Sequence, residues 1–171
     1  LAVSAFHACV RVIAEGVAGL PMKLMKKNDD GSVPDANNPL YNVLAHRFNE
    51  YQSSWDARCQ MAMHCCPYGN SYAVKEYDGS GNVKAIWPLH PALVSVQMLK
   101  NNRLAYDYMT HPGQDGVRYS QDDIIHIKYL SDNGYTGVVP AHLMQTCIAA
   151  ARQVDLYVNN FFANEAKPAV V

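Results

Sequence analysis

A run of short apolar segments separated by turn residues constrains the fold of this chain more than any other feature. The segments Ser71–Tyr77 and Val83–Leu89 flank Asp78-Gly79-Ser80-Gly81-Asn82, which is a strong hairpin signal. Consecutive short strands joined by tight turns favour an antiparallel sheet over units in which strands alternate with helices. The segments that continue the pattern are Val94–Met98, Leu104–Tyr108, Val117–Tyr119 and Ile124–Tyr129.

Amphipathic helices are predicted before these strands. Pro21 ends the first helix, and Met22–Lys27 and Ser32–Asn38 are predicted to form a strand and a loop. Pro39 suits the first turn of a short helix from Leu40 to Phe48, because its missing N–H is not needed there. The predicted apolar side of the first helix consists of Phe6, Cys9, Val10, Ile13, Val17 and Leu20.

The longest predicted helix begins at Pro140 and runs to about Asn164, a span of roughly 35–40 Å. Leu156 falls within its polar arc, and an outward apolar residue on a long helix can mark a subunit contact. A shorter helix from Trp55 to about Cys66 precedes the strands. The apolar side of the long helix consists of Leu143, Met144, Cys147, Ile148, Ala151, Val154, Val158, Phe161 and Phe162.

These elements predict an α+β fold, in which N-terminal helices flank a mainly antiparallel sheet of short strands and a long amphipathic helix follows. A length of 171 residues suits one folded unit. Within it we expect an α+β domain at residues 1–138, then the long helix and the start of another strand at residues 139–171. The chain opens at Leu1 inside a helical pattern and stops at Val171 in an apolar stretch, which indicates truncation at both ends.

The composition is that of an ordinary globular protein. Hydrophobic residues make up 49% of the chain and charged residues 17%. The formal net charge of −1 provides no global basic field for gripping nucleic acid. No apolar run approaches the length of a membrane-spanning helix. Five cysteines without regular spacing favour reduced thiols over a disulfide framework.

The sequence His64-Cys65-Cys66 raises the hypothesis of a metal site or a thiol nucleophile. On a helix, His64 and Cys66 project about 160° apart, so they do not converge on one zinc ion. Buried cysteines that act as small apolar side chains explain the pattern better. We therefore predict no metal, no cofactor and no catalytic residue, and we keep a cysteine-dependent enzyme centred on Cys65 or Cys66 as one alternative.

Aromatic residues on the predicted sheet supply another alternative, a nucleic-acid-binding module. Tyr106, Tyr108, Tyr119 and Tyr129 could form a stacking platform for single strands. Cross-strand packing is the commoner role of tyrosine in such sheets, and the lack of basic residues around these four favours it. His126 is predicted to point away from the isoleucines on either side of it and to pair with a nearby aspartate or to cap the strand.

Taken together, several segments resemble the phage portal protein family of tailed double-stranded DNA viruses. They occur in the family's order along nearly the whole chain. Each motif alone is weak, and their common order makes the resemblance strong. The segments are Ala8–Glu15, Leu20–Leu24, Asn38–Leu44, Tyr68–Ala73, Ala85–Leu89, Asp122–Lys128, Tyr135–Gly137 and Phe161–Asn164.

The resemblance implies a structural role and no enzymatic activity. Subunits of this family form a closed ring, usually of twelve, at one vertex of the viral head, and double-stranded DNA passes through the ring during packaging and ejection. The implied partners are further copies of the chain, the terminase motor, and the major capsid, scaffold and head-completion proteins. The implied location is the virion, with assembly in the host cytoplasm. The chain resembles the outer wing region of the family and the first long helix towards the channel stem.

Two positions depart from the family pattern, at the two ends of the long helix. Val139 stands where the family usually has a serine, so the expected N-cap before Pro140 is missing. Glu165 stands where the family usually has a glycine, which would allow a left-handed turn at the helix end. We expect one set of residues on this helix to face a neighbouring subunit or the channel. This set consists of Gln145, Arg152, Leu156 and Asn159.

Overall fold

The computed structural model describes residues 4–29, 31–110 and 116–163. It contains helices at both ends of the described chain and most of its antiparallel strands between them. The mixture of helices and antiparallel sheets confirms the predicted α+β fold. The helices are α1 (Ser4–Gly19), α2 (Pro39–Ala45), α3 (Ser54–Tyr68), α4 (Pro140–Leu143) and α5 (Gln145–Ala163), with a 3₁₀ turn at Pro91–Leu93. The strands are β1 (Met25–Asn28), β2 (Gly31–Pro34), β3 (Asn70–Tyr77), β4 (Val83–Leu89), β5 (Val94–Met98), β6 (Leu104–Tyr108), β7 (Val117–Ser120) and β8 (Ile124–Lys128).

The strands form three antiparallel sheets. Strands β1 and β2 pair as a hairpin, and β5, β6 and β7 form a meander. In the third sheet β3 lies at the centre, paired with β4 on one side and with β8 on the other. After the meander, strand β8 therefore returns to the sheet of β3 and β4, where it pairs with β3. The residues that follow β8 are thereby brought to the start of β3.

The central sheet separates two hydrophobic clusters, because side chains alternate across a strand. Tyr72 and Ala73 are neighbours on β3 and belong to different clusters. One cluster packs the helices on the sheet and consists of Val43, Phe48, Ala57, Met61, Ala73 and Ile86. The other packs the two three-stranded sheets together and consists of Tyr72, Leu89, Tyr106 and Ile124.

Helix α1 packs against α3 through small residues. Val10, Ala14 and Ala18 are buried at four-residue spacing, which lets the two helices approach closely. The predicted apolar side was only partly right, since Ile13 and Val17 on the same side of α1 are about half exposed. These larger residues line an apolar groove beside α3.

Helix α3 begins with a capping box. The Ser53 side chain accepts a hydrogen bond from the backbone N–H of Asp56, and the Asp56 carboxylate accepts one from the backbone N–H of Ser53. The sequence predicts an end at about Cys66, with Pro67 and Gly69 as the residues that stop the helix. The structure confirms Gly69, whose φ of 68° caps the helix, whereas Pro67 lies within its last turn.

The sequence predicts one apolar face of α3, formed by Trp55, Cys59, Ala62, Cys65 and Cys66, and this prediction is only partly right, because the last four are half-buried. The buried residues are Ser54, Ala57 and Met61, whereas Trp55 is 45% exposed. Helix α3 lies between α1 and the central sheet, so small residues are buried on two sides of it. No single apolar stripe therefore marks its contacts.

The stretch predicted as a loop after β1 contains a strand. Gly31–Pro34 pairs with β1, and every residue of the two strands is exposed. Because neither face of this hairpin is buried, no alternation of apolar and polar residues marks it in the sequence. The short helix α2 begins at Pro39 as predicted and ends at Ala45, earlier than expected.

The long helix is interrupted at Met144, which was not predicted. Its φ of −98° and ψ of 9° are not helical, so α4 is one turn long and α5 begins at Gln145. The 19 residues of α5 span about 28 Å. The predicted end at Asn164 and the departure at Glu165 lie outside the described residues. No helix in the described ranges is long and apolar enough to cross a membrane.

Candidate functional site

The four candidate residues of the long helix lie on one exposed stripe of α5. Gln145, Arg152, Leu156 and Asn159 fall within about 60° of one another around the helix axis, by rotation at 100° per residue. All four are exposed, and Leu156 keeps 45% of its surface accessible. The structure therefore leaves this predicted set of residues exposed on one side of α5.

The stripe borders two shallow depressions on the surface. Arg152 and Leu156 line both of them, and their volumes are about 420 and 430 Å³. Asn159 and Asp155 line the first, and Gln145 lines the second. Arg152 forms no ion pair with any residue that the structure describes. Its guanidinium is thus available to a carboxylate or a phosphate of another molecule.

A larger apolar groove, of about 1090 Å³, lies between α1, α3 and the first turns of α5. The core residues Phe48 and Ile86 form part of its floor, and Arg58 is its single charged residue. Apolar surfaces of this kind mark interaction sites in soluble proteins. The groove is lined by residues of α1, of α3 and of the segment that runs from Met144 into α5. They include Phe6, Cys9, Ile13, Val17, Ala62, Cys65, Cys66, Met144, Cys147, Ile148 and Ala151.

A second apolar surface occupies the C-terminal half of α5, where no residue is buried. The Tyr157 and Phe161 rings are stacked with centroids 6.4 Å apart, and Phe161 meets the edge of Phe162 at 5.6 Å. The residues recur at the spacing of one helix face. This aromatic stripe consists of Val154, Tyr157, Val158, Phe161 and Phe162.

The thiols on α3 lack the environment of a nucleophile. Burial raises the pKa values of Cys65 and Cys66 above the usual range, so both thiols stay protonated near neutral pH. An activated cysteine needs a lowered pKa. His64 contacts His90 edge to face at 5.3 Å, and burial, then the charge of His90, lowers the pKa of His64 to about 4. Among the described residues no group of three or more His, Cys, Asp or Glu side chains could hold a metal ion.

The tyrosines do not form a stacking platform. Tyr106 is 2% exposed and belongs to the cluster between the sheets, and Tyr108 and Tyr119 pack against that cluster. Only Tyr129 of the four is exposed. Stacking on single strands needs accessible ring faces, so these four tyrosines do not supply the platform that the nucleic-acid-binding alternative requires.

His126 points away from the neighbouring isoleucines as predicted, but it pairs with no aspartate. Its Nδ1 lies 3.2 Å from the Tyr106 hydroxyl and its Nε2 lies 3.0 Å from Asn70 Oδ1. Because Oδ1 can only accept, Nε2 carries the proton and Nδ1 accepts from the tyrosine. The nearby Asp122 binds Arg103, and Asp123 accepts from the Ser120 hydroxyl at 2.6 Å. Burial is the main reason why the pKa of His126 falls to about 4.

Asn70 connects this histidine to the loop before α4. Its Oδ1 accepts from the Gly137 N–H at 2.7 Å, and its Nδ2 donates to the Gly137 carbonyl at 3.0 Å and to the Tyr68 carbonyl at 3.1 Å. Asn70 is 8% exposed. Asn70 and Gly137 lie in two of the family-like segments, and nothing in the sequence predicts that they meet.

Two glycines allow this close approach. A Cβ at Gly69 would overlap the Val138 carbonyl, and a Cβ at Gly137 would overlap the Gly69 carbonyl. Gly69 also has a φ of 68°, which disfavours other residues. We refer to Gly69, Asn70, Gly137 and Val138 as the Asn70 joint.

The comparisons with known proteins agree on one family. The family model described as "Phage portal protein" matches residues 4–171. The portal protein of Enterobacteria phage HK97 is 29% identical over 169 residues, which are 98% of this chain and 39% of that protein. In the neck of an empty gene transfer agent (GTA) particle computed with C6 symmetry, a chain matches with a TM-score of 0.81 at 19% identity, over 95% of this chain and 44% of that one. In the neck of a native GTA particle computed with C12 symmetry, the TM-score is 0.72 at 20% identity, over 95% and 42%.

The share of the chain that the family model covers decides the assignment. The chain spans less than half the length of these relatives. At such low identity, the likeness to the GTA neck chains shows that the fold is shared. The family model covers all but the first three residues. This chain therefore belongs to the phage portal protein family.

Proposed function

We propose that this chain is part of the structural subunit of a portal ring, through which double-stranded DNA enters and leaves a viral head. The observation that carries the proposal is that this portal-family chain leaves large apolar surfaces uncovered. The apolar groove and the aromatic stripe lie on the same chain and differ in shape. Unlike surfaces suit a heterologous interface, in which one surface meets a different surface of the next copy and repetition closes a ring.

The charge of the chain supports passage of DNA without tight binding. Each Lys or Arg that neutralises a phosphate releases counterions and strengthens binding. A net charge of −1 and the absence of a basic stripe on the described part of α5, where Arg152 is the only cation, avoid such a grip. We infer that the ring of subunits surrounds the DNA and that a separate motor supplies the force that moves the DNA.

The partners and location follow from the portal role. We propose that its first partners are further copies of the chain in a ring of twelve, the symmetry with which the native GTA neck was computed. Terminase would dock on the ring during packaging, and capsid, scaffold and head-completion proteins would surround it. The assembled protein would then reside at one vertex of the virion, after assembly in the host cytoplasm.

The exposed stripe of α5 is the proposed contact with a neighbouring subunit or the channel. Leu156 is the apolar member of this stripe and Arg152 its charged member. Replacing Leu156 by aspartate would place a charge in a subunit contact, where an unpaired charge is costly. The same change at a surface that faces only solvent would have little effect.

Electron microscopy of the full gene product tests both parts of the proposal. We expect rings with a central hole wide enough for duplex DNA, and we expect Leu156→Asp to reduce the fraction of closed rings. Met98→Asp is the matched control, because Met98 is 54% exposed on a strand away from α5. Uniform monomers or two-fold dimers over a wide concentration range would refute the ring. Equal loss of rings in both variants would refute the role of Leu156.

A further inference from the structure

Helix α5 has few contacts that could fix its direction. None of its residues is buried, and its main contact with a described element is with α4, which directly precedes it in the chain and itself packs on α3. Helix α4 is one turn long and has no side-chain N-cap, because Val139 cannot accept a hydrogen bond from the helix. The direction of α5 therefore depends on what holds α4 and the residues before it.

The loop between β8 and α4 has its own internal order. Asn133 Oδ1 accepts hydrogen bonds from the backbone N–H groups of Tyr135 and Thr136 at 3.0 and 2.9 Å. The Ser131 hydroxyl donates to the Thr136 carbonyl at 2.5 Å. Such turns fix the path of a loop locally. They do not attach it to the rest of the protein.

The Asn70 joint makes that attachment. Asn70 holds both the N–H and the carbonyl of Gly137, three residues before α4. The Tyr129 N–H donates to the Gly69 carbonyl at 2.8 Å, and the Val138 N–H donates to the Leu130 carbonyl at 2.7 Å. These bonds fix both flanks of the loop at the start of β3.

The joint is itself anchored in the core. His126 donates to Asn70 Oδ1, and its other nitrogen accepts from Tyr106, which is buried between the two sheets. The chain of contacts from Tyr106 to Gly137 thus runs from the meander, through β8 and β3, to the loop. Buried and satisfied polar groups of this kind restrict a structure to one arrangement.

We propose that Asn70 is the positioning residue that sets the direction in which α5 leaves the body of the subunit. The side chain binds main-chain atoms on both sides of the joint, and the glycines bring those atoms within its reach. If the proposed ring function holds, Asn70 also sets the angle at which α5 meets its neighbour or the channel. That last step rests on the proposed function, and the positioning role itself does not.

Residual dipolar couplings of the ¹⁵N-labelled chain test this role directly. They report whether α5 and the sheets keep one fixed relative orientation. We expect a single alignment tensor to fit both parts of the wild-type chain. In Asn70→Ala we expect the couplings of α5 to shrink relative to those of β3 and β4, and we expect the Gly137 amide to exchange with solvent about tenfold faster than the wild type after correction for global stability.

Val43→Ala is the matched control, because Val43 is buried in the core on α2 and lines neither the joint nor the groove beside α5. It should lower the melting temperature while α5 and the sheets still share one tensor. Asn70→Asp provides a second variant, since a carboxylate keeps the bond to the Gly137 N–H and loses both donated bonds. We expect an intermediate reduction of the α5 couplings in this variant.

Unchanged α5 couplings in both Asn70 variants would overturn the proposal. Reduced couplings of α5 in the wild type would overturn it as well, because the joint would then not fix the helix. A reduction in Val43→Ala as large as in Asn70→Ala would show an effect of stability alone. These measurements use the chain in solution, so they remain informative even if the full gene product forms no rings.

Discussion

Replacing Gly69 by alanine tests the joint by its effect on stability. Gly69 has a φ of 68°, and an added Cβ would overlap the Val138 carbonyl. Gly134 offers a matched control, because its φ is 81° and an added Cβ would meet nothing within 4 Å. Alanine at either position must adopt a left-handed backbone conformation. Only alanine at Gly69 must also displace a neighbouring backbone.

The expected losses of unfolding free energy differ between the two variants. A left-handed conformation costs an alanine roughly 1–2 kcal/mol, which is the whole effect expected for Gly134→Ala. Displacing the Val138 carbonyl at Gly69→Ala also disrupts the hydrogen bonds that join Gly137 to Asn70 and Tyr129 to Gly69. At about 1 kcal/mol each, these three bonds bring the total to about 4–5 kcal/mol. That is a large part of the roughly 5–15 kcal/mol that stabilises a typical protein.

Urea unfolding followed by circular dichroism measures both losses of free energy, and thermal unfolding followed in the same way measures the change in melting temperature. For a chain of this size 1 kcal/mol shifts the melting temperature by about 2–4 °C, so we expect a drop of roughly 2–8 °C for Gly134→Ala and roughly 8–20 °C for Gly69→Ala. The slope of free energy against urea should stay constant, which would show that the unfolded state is unchanged. A loss at Gly69→Ala no larger than that at Gly134→Ala would mean that the two backbones do not approach as closely as described.

Three further predictions concern acid, a helix cap and the thiols. The pKa of His126 is about 4 in the folded protein and about 6.5 in an unfolded chain, so the unfolded state binds more protons between these values. Stability should therefore fall as the pH drops from about 6.5 towards 4, by on the order of 2–3 kcal/mol for this residue, and pH titration of unfolding should show a shallower fall in His126→Asn. Ser53→Ala removes one half of the capping box and should cost about 1 kcal/mol in urea unfolding, and an unchanged midpoint would contradict the cap. A colorimetric thiol reagent should react rapidly with the exposed Cys9 and Cys147 and slowly with the other three cysteines, and five fast thiols would contradict their burial on α3.

The strands could be predicted well because local signals coincide with the fold. Asp78 accepts hydrogen bonds from the backbone N–H groups of Ser80 and Asn82, so the turn between β3 and β4 is fixed by its own residues. The start of α3 is fixed in the same way by Ser53. Signals of this kind act over a few residues and can be read without knowledge of distant contacts.

The break at Met144 and the apolar groove could not be predicted. The apolar side of the long helix continues across Met144, so periodicity reveals no interruption there. Periodicity also shows which residues share a side without showing what covers that side. Ile13 and Val17 belong to the apolar side of α1, and they lie half exposed in the groove, whereas Val10, Ala14 and Ala18 beside them are buried.

The Asn70 joint could not be predicted because its members are far apart in sequence. Asn70 lies 56 residues from His126 and 67 residues from Gly137. Among its contacts, only the hydrogen bond to the Tyr68 carbonyl is local. The candidate stripe of α5 was easier to identify, since Leu156 disagreed with the polar arc around it, and its role in assembly remains a prediction.

Asn70 holds the loop through main-chain atoms, so the joint constrains side-chain identity at Gly137, where a Cβ would overlap the Gly69 carbonyl, and not in residues 131–136. Asn70 binds the N–H and carbonyl of Gly137, and these groups are present in every residue except for the N–H of proline. The hydrogen bonds within Ser131–Thr136 do not involve Asn70, so a change in this segment leaves the hydrogen bonds between Asn70 and Gly137 in place. Residues 131–136 are therefore the part of this loop that can vary while the helix beyond it keeps its course.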